Sequence, residues 1–298
     1  MMRRIDSPEM EAELHRCRKL VDESLGGYFA SDAAYGTLLE SMRYSLLAGG
    51  KRVRAIICLK FCEAAGGCLE KALGAACAIE MLHAYSLIHD DLPCMDDDDT
   101  RRGKPSNHVE FGEFTAILAG DALQAAAFET LLDSGLPSDA VVEMGRVLAH
   151  AAGPHGICGG QYLDLSVGGR QMSQDDLAEI NSMKTAALIS ACAKMGVISA
   201  GGRQEQVEAA EEYALAVGLA FQIRDDLLDR LSPSEVIGKP AGSDGCKGKS
   251  TFAELFSVDE CEKMIRVQTE KANDAILGKF DNTDFLVWLA SFLAERNS

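Results

Sequence analysis

Two clusters of aspartate, Asp90-Asp91-Leu-Pro-Cys-Met-Asp96 and Asp225-Asp226-Leu-Leu-Asp229, lie far apart in an otherwise apolar, helix-rich chain. Each ends an apolar run. Carboxylates so placed repel one another and carry a large desolvation penalty unless positive charge joins them. Hard divalent cations held between two helices meet that need, with a phosphorylated substrate completing the coordination. The chemistry indicated is the metal-assisted reaction of a diphosphate.

Asp225 and Asp229 are four apart and share a helix face, so both address one site, whereas Asp226 points elsewhere on the turn. A solvated acidic helix end is the plain alternative. The first cluster continues through Asp97, Asp98 and Asp99, and Pro93 breaks helical spacing between Asp91 and Asp96. A solvated turn or a calcium loop is the alternative there, but a calcium loop wants glycine at its turn and a later bidentate Glu. Arg101-Arg102-Gly103-Lys104 follows instead. Carboxylates for cations beside guanidinium forks for phosphate suit a metal–diphosphate site, with charge balance against Asp97, Asp98 and Asp99 as the alternative. A second basic group, Gly49-Gly50-Lys51-Arg52-Val53-Arg54, opens a helix, where backbone N–H groups and the dipole favour an anion. Lys51 and Arg54 are spaced to grip one phosphate. His83 shares the helix of Asp90, although a lone helical histidine is more often a core or surface residue. Lys184-Thr185, Gln222 and Lys239 are unremarkable singly.

The elements that must position these groups read as helices almost throughout, since apolar positions recur at helical spacing and strand signals are nearly absent. Helices are expected over 31–47, capped by Ser31 or Asp32 and stopped by Gly49-Gly50, and over 52–65, ended by Gly66-Gly67. A long third covers 69–91 until Pro93 breaks it, and others cover 113–134 and 137–151. Gly153-Pro154-His155-Gly156 reads as a loop. Ser173-Gln-Asp-Asp caps a helix from about Asp175, 204–229 is one long helix despite Gly218, 232–250 is an irregular loop, and two or three helices close the chain. No Pro/Ser-rich linker separates the aspartate clusters, so residues 1–298 are expected to form a single all-α domain, a bundle of long helices around a central cavity.

At 298 residues and 47% hydrophobic, the chain can bury a full core. A net charge of −17 argues against nucleic acid and anionic membrane surfaces as partners, and makes local Lys, Arg or metal necessary for an anionic substrate. Ten scattered cysteines form no C-x-x-C pair, and several sit in Ala-rich helical contexts. They read as small apolar residues of a protein in the reducing cytosol, not as a disulfide scaffold or zinc site. Met1-Met2-Arg3-Arg4 is followed by Glu9, Glu11 and Glu13, which suits neither a signal nor a transit peptide. No run approaches the roughly 20 apolar residues of a membrane span.

Taken together, these residues resemble the trans-isoprenyl diphosphate synthases, the polyprenyl synthetase family. The resemblance covers nearly the whole chain. It rests on Gly-Gly-Lys-Arg-Val-Arg at 49–54, the run from His83 through Asp99, Arg-Arg-Gly-Lys-Pro-Ser-Asn-His at 101–108 and Ala-Gly-Asp-Ala-Leu at 119–123. Further matches are Gly-Gly-Gln-Tyr-Leu-Asp-Leu at 159–165, Lys184-Thr185, Phe-Gln-Ile-Arg-Asp-Asp-Leu-Leu-Asp at 221–229, and Gly-Lys-Pro and Gly-Lys-Ser-Thr within 238–251. The family implies the isoprenoid synthase fold and the condensation of isopentenyl diphosphate with an allylic diphosphate, dimethylallyl or geranyl. Asp90, Asp96 and Asp225 match direct magnesium ligands, with Asp91, Asp226 and Asp229 in support. The implied cofactor is Mg2+, three ions per site, with Mn2+ able to substitute. Arg101, Lys184 and Lys239 match contacts to the allylic diphosphate. Gly50, Lys51, Arg54, His83, Arg102 and Lys249 match the groups that bind substrate, several of them at the isopentenyl site. Thr185 and Gln222 face the allylic cation. The family is usually dimeric, which implies a homodimer.

Magnesium with Arg and Lys stabilises the departing diphosphate, and an apolar cavity keeps water from the cation. In the family the final proton goes to the departing diphosphate, and the sequence offers no triad. The product tail must run along the helix of Asp90, and residues about five earlier lie roughly 7–8 Å below it. These are Tyr85, whose ring would floor the cavity, and Ser86, which leaves room. Tyr85 and the extra pair Pro93-Cys94 resemble bacterial short-chain farnesyl diphosphate synthases, so farnesyl diphosphate is the expected product. Geranylgeranyl diphosphate is the alternative, and a non-catalytic subunit of a heteromeric synthase is the alternative of another class. A terpene cyclase would replace the second motif and leave Lys51, Arg54 and His83 idle. Three features depart from the family pattern. Arg224 stands beside the second motif and is expected to pair with a neighbouring Asp. Ile157 and Phe252 replace the common Met and Tyr. The tail, Glu295-Arg296-Asn297-Ser298, lacks the basic last residue that some relatives use to help close the site.

Overall fold

The computed structural model describes residues 8–30, 33–166, 172–231 and 251–296. The expected all-α architecture is what forms. In chain order the helices are α1 (Pro8–Gly26), α2 (Gly36–Leu46), α3 (Val53–Ala64), α4 (Leu69–Asp90), α5 (Asn107–Phe111), α6 (Glu113–Leu132), α7 (Ser138–Ala152), α8 (Ile157–Ser166), α9 (Gln174–Asn181), α10 (Ala187–Ala200), α11 (Gln204–Leu231), α12 (Phe252–Leu255), α13 (Val258–Ile276) and α14 (Asp284–Glu295). A π-helical turn, Ser182–Ala186, joins α9 to α10. A minimal hairpin pairs β1 (Thr100–Arg101) with β2 (Lys104–Pro105), Arg101 opposite Lys104.

Most expected helices are present within a residue or two at each end. The first is shorter: a turn in which Gly36 N–H donates to the Ala33 carbonyl precedes α2. The suggested caps Ser31 and Asp32, the 232–250 loop, Lys239 and Lys249 lie outside the described residues. Ser173 caps as expected, its hydroxyl accepting from the Asp176 N–H at 3.2 Å while the Asp176 carboxylate accepts from the Ser173 N–H at 2.9 Å.

Helix α4 carries the first aspartates and is buried on nearly every side, as a helix apolar all round must be. Ala72, Ala75, Ala76 and Ala78 keep its surface low, so that α3, α6 and α10 all pack on it. Helix α11 carries the second cluster and packs on α10, α13 and the π turn. The buried apolar residues form two clusters, a large one around α3, α4, α6 and α10 and a smaller one of α9, α11, α12 and α13. The aspartate-bearing end of α4 meets α11 where these clusters adjoin.

One expectation needs correction. The continuous stretch Gln174–Ala200 is long and apolar enough to cross a membrane by length and composition. Its most apolar 18-residue window is 67% buried inside the protein, and its α10 portion packs against α3, α4, α7 and α11, as a core helix does.

Candidate active site

A cavity of about 280 Å³ lies between the end of α4 and α11. Asp90, Asp96 and Arg101 line one side, and Asp164, Asn181, Lys184, Thr185, Gln222 and Asp226 the other. Leu87, Leu177, Ile180 and Phe252 add apolar surface. Both aspartate clusters therefore reach one site, together with an arginine and a lysine.

Pro93 stops α4, and the chain doubles back so that Asp96 N–H donates to the Asp90 carbonyl at 2.9 Å. Asp97, with φ +53°, completes the return. Burial, only partly offset by Lys184 and aggravated by Asp96, pushes the Asp90 carboxyl up to about 6. Asp91 turns away from this cavity and is almost fully buried, gripping the Arg101 guanidinium through Nε at 3.0 Å and through Nη2. It orients the arginine that lines the cavity. Burial lowers the Arg101 pKa, but Asp91, Asp98 and Asp90 more than offset this and raise it overall.

The hairpin that presents Arg101 turns on Arg102-Gly103, both left-handed at φ +54° and +74°. Two such residues joining two strands make the turn that matches strand twist. Arg102 folds back onto the Gly49 carbonyl, and a side chain on Gly50 would meet its guanidinium at 3.1 Å. Asn107 locks the segment after the hairpin to α2, bonding the Ser41 carbonyl at 2.9 Å and the Ser45 hydroxyl at 2.8 Å.

Beside this lies the second basic group. Arg54 Nη1 approaches His83 Nε2 at 3.4 Å, and Arg54 Nε is buried without a hydrogen-bond partner among the described residues. Burial, then the guanidinium groups of Arg54, Arg102, Arg52 and Arg101, hold His83 well below the usual imidazole range. The imidazole is neutral at pH 7. Lys51 stands at the entry to α3, its ammonium lowered by partial desolvation and by the charge of Arg296. Arg52 is committed elsewhere, to Asp22, Glu80 and the Leu46 carbonyl, all at 2.8–2.9 Å.

On the opposite wall the π turn widens the helix where Lys184 and Thr185 project. Lys184 Nζ donates to Asp164 at 2.6 Å, and Thr185 donates to Gln222 Oε1 at 3.3 Å. Gln222 Nε2 donates in turn to Asp226 at 2.9 Å, whose other oxygen accepts the Phe252 N–H at 2.8 Å. This reverses the expected orientation within the second cluster. Residues 222 and 226 form the stripe facing the cavity, whereas Asp225 lies on the neighbouring stripe with Phe221 and pairs with Arg296. Asp229 is half-buried on α11 and does not line the cavity.

Arg296 went unforeseen. Its guanidinium pairs with Asp225, lies 3.8 Å from the Phe221 ring centroid, and is lowered to about 10 by burial and the nearby Arg224. A basic tail residue does reach the second motif, although it is not the last residue. Arg224 corrects another expectation: it forms a bidentate pair with Glu262 of α13 at 2.8 and 2.9 Å, not with a neighbouring Asp. Replacing Arg296 with Gln is expected to leave stability unchanged or to raise it by up to about 1 kcal/mol, because burial and Arg224 disfavour its charge by more than the pair with the exposed Asp225 returns. Urea denaturation of the metal-free protein checks this, and a midpoint lowered in the variant would mean that the ion pair and the cation–π contact outweigh the burial of the charge.

Tyr85 and Ser86 are both buried on α4 and are not among the residues lining the cavity. The Tyr85 hydroxyl lies 3.2 Å from Cys158 Sγ, and Ser86 bonds the His83 carbonyl at 2.9 Å.

The family model for "Polyprenyl synthetase" matches residues 36–282. Geranylgeranyl pyrophosphate synthase 11, chloroplastic, of Arabidopsis thaliana is 45% identical over 271 residues, which span 88% of this chain and 75% of that protein. Geranylgeranyl diphosphate synthase of Cyanophora paradoxa is 44% identical over 265 residues, 88% of each chain. The crystal structure of geranylgeranyl pyrophosphate synthetase from Pyrococcus horikoshii superposes with a TM-score of 0.88 at 34% identity, covering 97% of this chain and 98% of that one. The architecture is thus the isoprenoid synthase fold. With both aspartate motifs brought to one cavity in that fold, the chain belongs to the polyprenyl synthetase family, the trans-prenyl diphosphate synthases.

Proposed function

We propose that this protein joins isopentenyl diphosphate to allylic diphosphates and releases geranylgeranyl diphosphate. The observation that carries the chemistry is the meeting of Asp90 and Asp96 with Asp226, Arg101 and Lys184 around one cavity. The product length rests on the relatives, which are named as geranylgeranyl synthases.

Magnesium fits these residues. Asp90 and Asp96 are hard oxygen donors lining the same cavity, and burial first, then the charge of Asp96, raises the Asp90 carboxyl, a disposition that a cation would relieve. Among the described residues no three acidic, histidine or cysteine side chains form a closed cage. That suits an ion which takes one or two carboxylates and completes its shell from phosphate and water. When bound, the metal supplies positive charge for the departing diphosphate.

The chain's own groups do the rest. Arg101, oriented by Asp91, and Lys184, oriented by Asp164, direct fixed positive charge at the allylic diphosphate. Leu87, Leu177, Ile180 and Phe252 limit water around the allylic carbon. Thr185 and Gln222 turn oxygen dipoles toward it, held by the bond to Asp226. Arg54, whose Nε has no hydrogen-bond partner among the described residues, and neutral His83 present donors for the isopentenyl diphosphate, beside Lys51 and Arg102. Lys239 and Lys249 lie outside the described residues, and their part in substrate binding rests on the family pattern alone.

Farnesyl diphosphate is the second reading, favoured by the aromatic Tyr85 below Asp90. Incubation with Mg2+, isopentenyl and dimethylallyl diphosphates, followed by identification of the dephosphorylated alcohols, separates the two. Geranylgeraniol is expected. Farnesol would keep the chemistry and move the length, and no prenyl alcohol from folded protein would leave the non-catalytic subunit standing.

The stripe Phe114, Ile117, Leu118 and Leu132 leaves an apolar face of α6 exposed, the face on which we place the homodimer contact. Sedimentation velocity tests it, a monomer at micromolar concentration being the contrary result. The described cysteines are all free thiols, as the proposed cytosolic location requires.

A further inference from the structure

We propose that His89 and Gly120 set where the product chain stops, by fixing the ring of Tyr85. The inference rests on the synthase reading above, in which the growing tail descends along α4 from Asp90.

Tyr85 is only 8% exposed, and both ends of its side chain are held. Its hydroxyl meets Cys158 Sγ at the start of α8, so the side chain bridges α4 and α8. Its ring meets the His89 ring edge-on, centroids 5.0 Å apart at 78°. His89 is itself seated in a slot on α6, with Nε2 3.0 Å from the Ile117 carbonyl. The slot exists because residue 120 has no side chain: a Cβ there would stand 2.2 Å from His89 Nε2 and 2.4 Å from Cδ2. Real Cβ atoms do not tolerate such distances, so any larger residue must expel the ring.

A tyrosine supported at one end only can leave its staggered well and swing aside, and a tail pressing on it gains length. Supported at both ends, it stays. Neither His89 nor Gly120 needs to touch substrate. Both are positioning residues acting through Tyr85.

The test is product analysis, with Mg2+, isopentenyl and dimethylallyl diphosphates, of the wild type, Tyr85→Ala, His89→Ala, Gly120→Ala and the Tyr85→Ala/His89→Ala double variant. The readout is the ratio of products longer than the wild-type product to the wild-type product itself. His89→Ala and Gly120→Ala should each raise this ratio about two- to tenfold, the range an edge-to-face aromatic contact commands. Tyr85→Ala should raise it at least as far, and the double variant should match Tyr85→Ala alone, because both changes act through one ring. Lower turnover at an unchanged ratio would reduce His89 to a structural role and overturn the proposal. So would a double variant whose shift is the sum of the singles. Since His89→Ala removes the supporting ring and Gly120→Ala displaces it, either one suffices if the other fails to fold. A wild type that makes no prenyl alcohol defeats the synthase reading itself, a result distinct from an unchanged ratio.

Discussion

Asp90→Asn is expected to lower turnover by about 10³-fold or more while making the metal-free protein more stable at pH 7. The two effects share one cause. Asp90 is held in a desolvated corner against Asp96 and Asp91, which pushes its carboxyl up to about 6. In an unfolded chain an aspartate titrates near 4. Between those values the folded state holds a proton that the unfolded state has lost. Its ionisation therefore costs stability that is fully felt above about pH 6, is relieved as pH falls from 6 toward 4, and is gone below both values. At pH 7 the penalty is on the order of 1–3 kcal/mol, and a neutral amide removes it. Thermal denaturation of metal-free wild type and Asp90→Asn between pH 4 and 8 checks the sign: the variant's advantage should be present at pH 7.5 and absent near pH 4. A variant less stable at every pH would show that Asp90 is a structural partner rather than a repelled charge. Turnover moves the other way because that repelled carboxylate is what a cation needs. Strain of this kind is retained at functional sites and disfavoured elsewhere.

Much of this site is legible in the sequence because its chemistry is dense. Six acidic residues followed at once by Arg101 and Arg102 admit few readings, and helical periodicity places them at the end of α4. The errors come from geometry that periodicity does not contain. The spacing of Asp225 and Asp229 says that they share a face, but which face meets the cavity depends on where the π turn and α12 pack, and that selects Asp226. Asp91 and Asp90 are adjacent in sequence, yet one clamps Arg101 and the other lines the cavity, a division set by where the hairpin returns. The hairpin itself has two-residue strands, too short for alternation to register, and only Gly103 marks the turn. Arg296 reaches Asp225 from 71 residues away, and no local pattern carries such a contact. Helix α8 is hidden because Gly159 and Gly160 weaken its helical signal, although packing overrides that cost.

Those glycines carry the second large effect. Gly160→Ala is expected to lower turnover by about 10²-fold and to destabilise the fold by about 1–3 kcal/mol. A Cβ at residue 160 would stand 2.4 Å from the Lys184 amide nitrogen and 2.8 Å from its Cα and Cβ, so α8 and the π turn touch backbone to backbone. No flexible side-chain end lies in the way that could rotate aside. The helices must separate, and with them the 2.6 Å pair of Asp164 and Lys184, one partner on each side of the contact. The lysine then loses both its position and its orienting carboxylate. Gly145→Ala, on α7, is the matched control: its added carbon meets nothing within 4 Å. The same substitution there should be neutral or stabilise by up to about 1 kcal/mol, because alanine restricts the unfolded chain and favours helix. Steady-state kinetics and urea denaturation of the two variants side by side separate propensity from contact. A Gly160→Ala protein with wild-type turnover would mean that Lys184 does not need this packing to hold its place. Loss in that variant alone would tie the glycine pair to the position of a charge, a role helix propensity cannot supply.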